Sequence, residues 1–291
     1  MQTIIKWMTM RNKLILFPIF SLILFATELK AEGSKIKDSI VVTYIANAGF
    51  LIEIDDFKVV IDGFFNQGLN RFEIPDSVAL NKLSQNESPF HDLDLILVTH
   101  SHADHFNDSL VFTHMINNKK AVLVCPNQVN MIMKKDSFSY SLIKNRIRII
   151  TPDTDSFIKA NIDSVELITC RLWHGKKQNK NIENVAFILT YKNKTIFHSG
   201  DATIQDFNGI IGLDFPKKEI DIAFLFSGFG GIPFLEKTDS LIRADNYVFM
   251  HLSSEIVDMF FEPFISNADL IKNPFVFRKK MERKIFYLTD Y

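Results

Sequence analysis

The sequence predicts a layered domain of the α/β or α+β class, rich in strands, with a few helices set between them. Three observations carry that expectation. Apolar, β-branched runs of strand length recur from Ser39 to Met250. Helical patterning interrupts them at only a few places. With 291 residues, 47% hydrophobic and 23% charged, the chain can bury a sizeable core without disulfide staples. No internal repeat, low-complexity tract or interdomain linker breaks residues 32–291, so they read as one domain.

Residues 1–31 stand apart. Lys6, Arg11 and Lys13 precede the apolar run LILFPIFSLILFA, from Leu14 to Ala26, and a small residue follows at Ala31. A basic start, a short apolar stretch and a small residue are the parts of a secretory signal peptide. The run is shorter than the roughly 20 residues a spanning helix needs. The expectation is export, to a periplasmic or secreted location, with no membrane span in the mature chain. An uncleaved N-terminal membrane anchor is the alternative.

The elements follow in order. SIVVTYI, FLIEI and KVVID are strands separated by Asn47-Ala48-Gly49 and Asp55-Asp56, which reads as a meander. Residues 66–92 are polar and read as loop with a short helix. LDLILVT (93–99) is a buried strand, and DHFNDSLVFTHMINN opens a helix at Asp104, whose charge suits the first turn. AVLVC is a strand followed by helix to about Lys135. RIRIIT, SFIKA, SVELITCRL, NVAFILTY, TIFHS, IDIAFLFS and NYVFM return to β structure, and residues 254–272 read as a late helix broken at Pro263.

The formal charge is −1 and becomes −4 without residues 1–31. No basic tract is present of the kind that neutralises many phosphates, so nucleic acid is not an expected partner. A small-molecule substrate is. Cys125 and Cys170 are the only cysteines. In an exported chain they are able to pair. Each also closes an apolar run, which suits two buried thiols.

The chemistry concentrates in THSHADHF, residues 99–106. Three of the chain's eight histidines, with an aspartate, fall between His100 and His105. Imidazole nitrogen and carboxylate oxygen are zinc ligands. His100 and His102, two apart, face one side if the strand direction continues through them. Asp104 and His105, at the turn into the helix, face another, so one stretch can serve two neighbouring metals. Further metal-competent residues end strands at His174, Asp201 and His251.

The pattern H-x-H-x-D-H, then a later His, then Asp in a G-D pair, then a final His, resembles the metallo-β-lactamase-fold hydrolase superfamily, with VVIDGFF supplying its earlier Asp at Asp62. The resemblance spans about Ile40 to Leu252. ANAGFLIEIDDFKVVIDGFF and ILVTHSHADHF look most like the branch of ascorbate-phosphate lactonase and the N-acyl-phosphatidylethanolamine phospholipase D type enzymes. Many relatives there carry a histidine near Asn47-Ala48, which this chain lacks. The resemblance implies a four-layer αββα sandwich and two Zn2+ ions. His100, His102 and His174 would hold the first metal, and Asp104, His105 and His251 the second. Asp201 would bridge them and Asp62 would orient the motif loop. His198, three residues before Asp201, reads as a buried structural or supporting residue.

The implied activity is hydrolysis of a small ester, lactone or phosphodiester by a metal-bridging hydroxide, with Asp104 or a metal-bound water as acid. Hydrolysis of a β-lactam or N-acyl amide, or a non-catalytic metal-binding envelope protein of this fold, are the alternatives. FSGFGGIPF (226–234) is either a substrate loop or a turn. MFFEPF (259–264) suits core packing better than an acyl pocket. Trp173 suits a site wall and packing equally.

Overall fold

In the computed structural model the chain builds two mixed seven-stranded sheets. The structure describes residues 38–68, 72–154, 156–175, 179, 181–204, 219–229, 234–253, 255–257 and 270–288. The leader expected at 1–31 and the MFFEPF segment lie outside the described residues, as does most of the late helix, of which 255–257 are helical. Among the described residues no helix is long and apolar enough to cross a membrane.

The first sheet contains β1 (Ser39–Ala46), β2 (Gly49–Ile54), β3 (Phe57–Ile61), β4 (Leu95–Leu97), β5 (Val122–Cys125) and β6 (Ile147–Ile149). The second contains β7 (Phe157–Ile162), β8 (Val165–Arg171), β9 (Val185–Tyr191), β10 (Lys194–His198), β11 (Ile220–Phe226), β12 (Ala244–Met250) and β13 (Pro274–Val276). The final strand, β14 (Arg283–Tyr287), returns to the first sheet beside β1. The orders are β14-β1-β2-β3-β4-β5-β6 and β13-β12-β11-β10-β9-β8-β7. Each sheet begins as an antiparallel meander and continues as three parallel additions, β4 to β6 in one and β11 to β13 in the other.

The meanders turn tightly for a local reason. The two-residue loops after β1, β2, β7 and β9 start with Asn47, Asp55, Asp163 and Lys192, all at positive φ near 50°. Such loops match the twist of paired strands when the backbone turns left-handed, and Asn and Asp tolerate that best.

Alternation along the strands sorts side chains into three clusters. In β3, Val59 and Ile61 face the other sheet while Val60 faces outward; in β9, Val185, Phe187 and Leu189 face inward while Ala186 and Ile188 face outward. The inter-sheet cluster is centred on Phe50, whose ring lies 4.7 Å from Phe224 of the opposite sheet. Burying a side chain of that size contributes roughly 1.5–3 kcal/mol. The outer face of the first sheet is covered by α1 (Ser77–Ser84), α2 (Asp108–Asn117), α3 (Asn127–Met133) and α4 (Ser137–Ile143) through Leu83, Phe112, Met133 and Ile143. That of the second is covered by α5 (Leu235–Ile242) through Leu235 and Ile242. Helix, sheet, sheet and helix make the αββα sandwich.

Two local readings change. The helix expected to open at Asp104 begins at Asp108, because Asn107 caps it by accepting from the Leu110 N–H at 3.1 Å. Asp104 therefore sits in a turn before the helix and gains nothing from its dipole. Likewise β4 ends at Leu97, so His100 and His102 are brought together by a loop, not by strand alternation.

Both cysteines are free and buried. Cys125 faces the outer layer of the first sheet and Cys170 that of the second, with the sandwich between them. Burial pushes both thiols up to about 12. Native protein is expected to show no thiol reactive toward a chromogenic disulfide at pH 8 and two after denaturation without reductant; fewer than two on denaturation would contradict this arrangement.

Candidate metal centre

The strands that end at one edge of the sandwich supply every candidate ligand. Asp62 follows β3, the residues from His100 to His105 follow β4, His174 follows β8, Asp201 follows β10 and His251 follows β12. Asp62 and His251 take the strained left-handed backbone conformation, at φ 47° and 59°. That turns each strand end sharply and aims the side chain across the edge.

Asp62 organises the motif loop. Its carboxylate accepts from the Thr99 N–H at 2.8 Å and from the Thr99 hydroxyl at 2.6 Å, and it pairs with His105 Nδ1 at 2.8 Å. Nδ1 of His105 therefore carries the proton, and Nε2 points into the site. The next turn closes on itself, the His105 and Phe106 N–H groups both donating to the His102 carbonyl at 3.0 Å. The Val185 N–H donates to the Thr99 carbonyl at 3.0 Å, which joins the loop to the second sheet.

Two ligand groups result. His100, His102 and His174 offer atoms within 4.8 Å of one another, and so do Asp104, His105 and His251. Asp201 stands between them. Its Oδ2 is 3.2 Å from His174 Nε2 and 3.4 Å from His251 Nε2, and its Oδ1 is 3.3 Å from His105 Nε2. Asp62, His100 and His105 also fall within the same span, but the Asp62 carboxylate is already taken up by Thr99 and His105.

The side chains test whether a metal fits. Nε2 of His100, His105, His174 and His251 and Oδ1 of Asp201 are buried with no hydrogen-bond partner. The Asp201 carboxylate lies close to three of these nitrogens, with Oδ1 3.3 Å from His105 Nε2 and Oδ2 3.2 Å from His174 Nε2 and 3.4 Å from His251 Nε2. Buried polar atoms of that kind are costly unless something satisfies them, and a cation accepting lone pairs from all of them does so. The protonation states agree. Burial pushes His100 well below its ordinary value and lowers His102 too, which leaves neutral imidazole, the ligating form. Burial works against charge on His105, yet the Asp201 and Asp62 carboxylates outweigh it and pull the ring well above its ordinary value. The carboxylates that favour a proton there favour a metal cation equally. Burial alone would raise Asp201, but His251 and His105 hold it well below the usual carboxylate range.

Asn47 and Asn184 complete the site, and neither carries a motif signal in a single sequence. Asn47 Nδ2 donates to both the carbonyl and Oδ2 of Asp104 at 3.3 Å, while its own carbonyl accepts from the His251 N–H at 3.2 Å. The β1–β2 turn thereby positions two members of the second ligand group. Asn184 Oδ1 accepts from the Asp201 N–H at 3.0 Å. Gly200, at φ 55°, leaves room for it, since a Cβ there would lie 2.5 Å from Asn184 Oδ1. His198 stands behind the site, accepting from the Gly200 N–H at Nδ1 and donating from Nε2 to the Ala48 carbonyl, both at 3.2 Å. It is a buried strut between the sheets. His114, pushed by burial to about 4, ties α2 to the Leu83 carbonyl.

The ligands form the floor of a cavity of about 410 Å³, walled by Phe72, Phe226, Ser227, Leu252, Ser253 and Ile256. Phe226 and Ser227 belong to the FSGFGGIPF stretch, so its described start is a wall of this cavity.

An αββα sandwich with paired histidine–aspartate ligand groups at one sheet edge, beside a cavity of small-molecule size, defines a metal-binding protein. Residues 58–214 match the family model described as the β-lactamase superfamily domain, and the chain belongs to that family. A UPF0173 metal-dependent hydrolase of Pyrococcus abyssi is 27% identical over 165 residues, which cover 56% of this chain and 62% of that relative, so less than two thirds of its length is matched. Among solved structures, the metallo hydrolase Igni18 of Ignicoccus hospitalis superposes with a TM-score of 0.60 at 18% identity, over 86% of this chain and all of that one. An isothiocyanate hydrolase from Delia radicum gut bacteria gives 0.56 at 14% identity, over 84% and 98%. Likeness at that identity shows a shared fold.

Asn47→Ala is expected to weaken metal binding at the Asp104–His105–His251 group by roughly 10–100-fold, the usual cost of losing a residue that orients a ligand, and to leave the His100–His102–His174 group unchanged. Competition titration against a chelator, with two resolved binding steps, checks this.

Proposed function

We propose that the protein is an exported di-zinc hydrolase of a small ester, lactone or phosphodiester. The observation that carries this is the convergence of unpartnered buried imidazole nitrogens and a carboxylate oxygen on the floor of a cavity of small-molecule size. The metal-dependent hydrolases among the relatives support the reaction class. The all-nitrogen-and-oxygen ligand set, with a histidine in the middle of H-x-H-x-D-H, supports zinc. The basic and apolar leader from Lys6 to Ala26 supports export.

His100, His102 and His174 would hold one ion, Asp104, His105 and His251 the other, with Asp201 facing both. Such a pair supplies Lewis acidity and lowers the pKa of water toward neutrality. The rest is done by the chain. Asp62 holds His105 in one tautomer, with Nε2 toward the site. Asn47 holds Asp104 by its carboxylate and its carbonyl. Burial raises Asp104, but His251 and His105 outweigh it and lower its carboxyl, so it is ionised at neutral pH. It lines the cavity in the form that first accepts a proton and can then hand it on. When water adds to the electrophilic carbon or phosphorus, the bond to the leaving oxygen breaks, and Asp104 can relay the proton that the water loses to that oxygen.

Purified protein is expected to hold about two transition-metal ions per chain by mass spectrometry; less than about one would overturn a two-metal site. His102→Ala is expected to abolish metal-dependent hydrolysis, and an active variant would show that the first ligand group is misassigned. A fully loaded protein inert toward esters, lactones, phosphodiesters, β-lactams and N-acyl amides would favour a binding role.

A further inference from the structure

We infer that the site takes an ester or lactone whose acyl part is a small, uncharged, apolar group. The inference rests on the hydrolase reading above and names its substrate class. The apolar wall begins at the reacting centre, not at the cavity mouth. The Phe72 ring meets the His251 ring edge-on at 4.2 Å, and Phe226 lies 5.2 Å from the same ring. Leu252 and Ile256 extend that surface. A group attached next to the scissile bond therefore lies against hydrocarbon within one residue's width of the metal ligands.

The charge pattern points the same way. Apart from the candidate ligands, the polar residues lining the cavity are Ser227 and Ser253, and no lysine or arginine lines it among the described residues. Glu73, Arg278 and Lys279 line a second hollow, of about 340 Å³, which shares Leu252 with this cavity. Among the described residues that wall offers a second anionic group, such as a phosphorylated or carboxylated acyl chain, two hydroxyls and no countercharge, and desolvation would oppose binding against it. A volume of about 410 Å³ lies at the small end of ligand pockets.

The test uses the zinc-loaded chain and p-nitrophenyl acetate, butyrate, hexanoate and hemisuccinate, with bis-(p-nitrophenyl) phosphate and a γ-lactone series beside them. From acetate to hexanoate, kcat/KM is expected to rise roughly threefold to fourfold per methylene, the worth of burying one, and hemisuccinate is expected to fall below butyrate. Calorimetric titration with acetate, hexanoate and succinate gives a readout independent of turnover, with hexanoate expected to bind tightest. Phe72→Ser is expected to flatten the chain-length slope, and the wild-type slope stands as the test if that variant does not fold. A flat slope, or a preference for hemisuccinate and succinate, would overturn the inference and leave the hydrolase reading intact. So would turnover of the phosphodiester with none of the carboxylic esters or lactones. Loss of all turnover would instead overturn the hydrolase reading itself.

Discussion

One buried carboxylate holds the site together. Asp62 accepts from the amide and hydroxyl of Thr99 and from Nδ1 of His105. Those contacts tie the end of β3 to the loop after β4, hold the backbone just before His100, and decide which nitrogen of His105 faces inward. Hydrogen bonds to a charged acceptor contribute about 1.5–3 kcal/mol each, and their loss in a buried setting costs more because the charge stays behind. Asp62 adopts this role at a positive φ, so the strand end stores strain that the same contacts offset. Space is arranged around it as well. A Cβ at Gly49 would sit 2.8 Å from the Asp62 carbonyl, so the β1–β2 turn can lie against this point only with glycine there.

From that anchor the topology does the rest. β3 to β6 run parallel, and so do β10 to β13. Parallel strands bring their carboxyl ends to one edge, which is where loops able to carry side chains to a common point must emerge. β3 and β4 of one sheet and β8, β10 and β12 of the other deliver their loops to that edge. The Thr99 carbonyl to Val185 amide bond and the Ala48 carbonyl to His198 bond cross between the sheets just behind it. The ligands are thus held by two independent sheets cross-linked near the site, an arrangement that keeps side chains preorganised.

Much of this is legible in the sequence because metal ligation demands particular atoms. No other short stretch of this chain concentrates three histidines and an aspartate, and His174, Asp201 and His251 each close an apolar run. Strand alternation shows equally well, since every buried strand must sort its side chains between two faces. The supporting residues are less visible. Asn47 reads as an ordinary turn residue, and its two jobs, turning β1 into β2 and holding Asp104, are indistinguishable until the fold brings residue 104 to it. The helix starts later than Asp104: Asp104 and Asn107 are both able to cap, and it takes the fold, through the Phe64–Phe106 bridge, to keep residue 106 out of the helix. α5, β13 and β14 have short or mixed patterns. β14 pairs with β1 across nearly the whole chain length, and nothing local encodes that.

The walls raise a different question from the floor. Several chemistries fit one ligand set, so the floor would set how a bond is broken but not whose bond. Selection must come from groups that touch the substrate beside the reacting atoms. Among the described residues most of those groups are rings and aliphatic side chains, with Ser227 and Ser253 beside them, and they would act twice. On the reading proposed above, they would favour an apolar acyl group by burying it. They also keep the dielectric low around Asp104 and Asp201, where each charge interaction is worth several times its value in water. Introducing a cation into that wall to hold an anionic substrate would have both effects in reverse. It would draw water to the reacting centre, and it would compete with the metals for the two carboxylates. An apolar wall is therefore the arrangement that serves specificity and metal retention together, and it ties the choice of substrate to the stability of the ligand cluster beneath it.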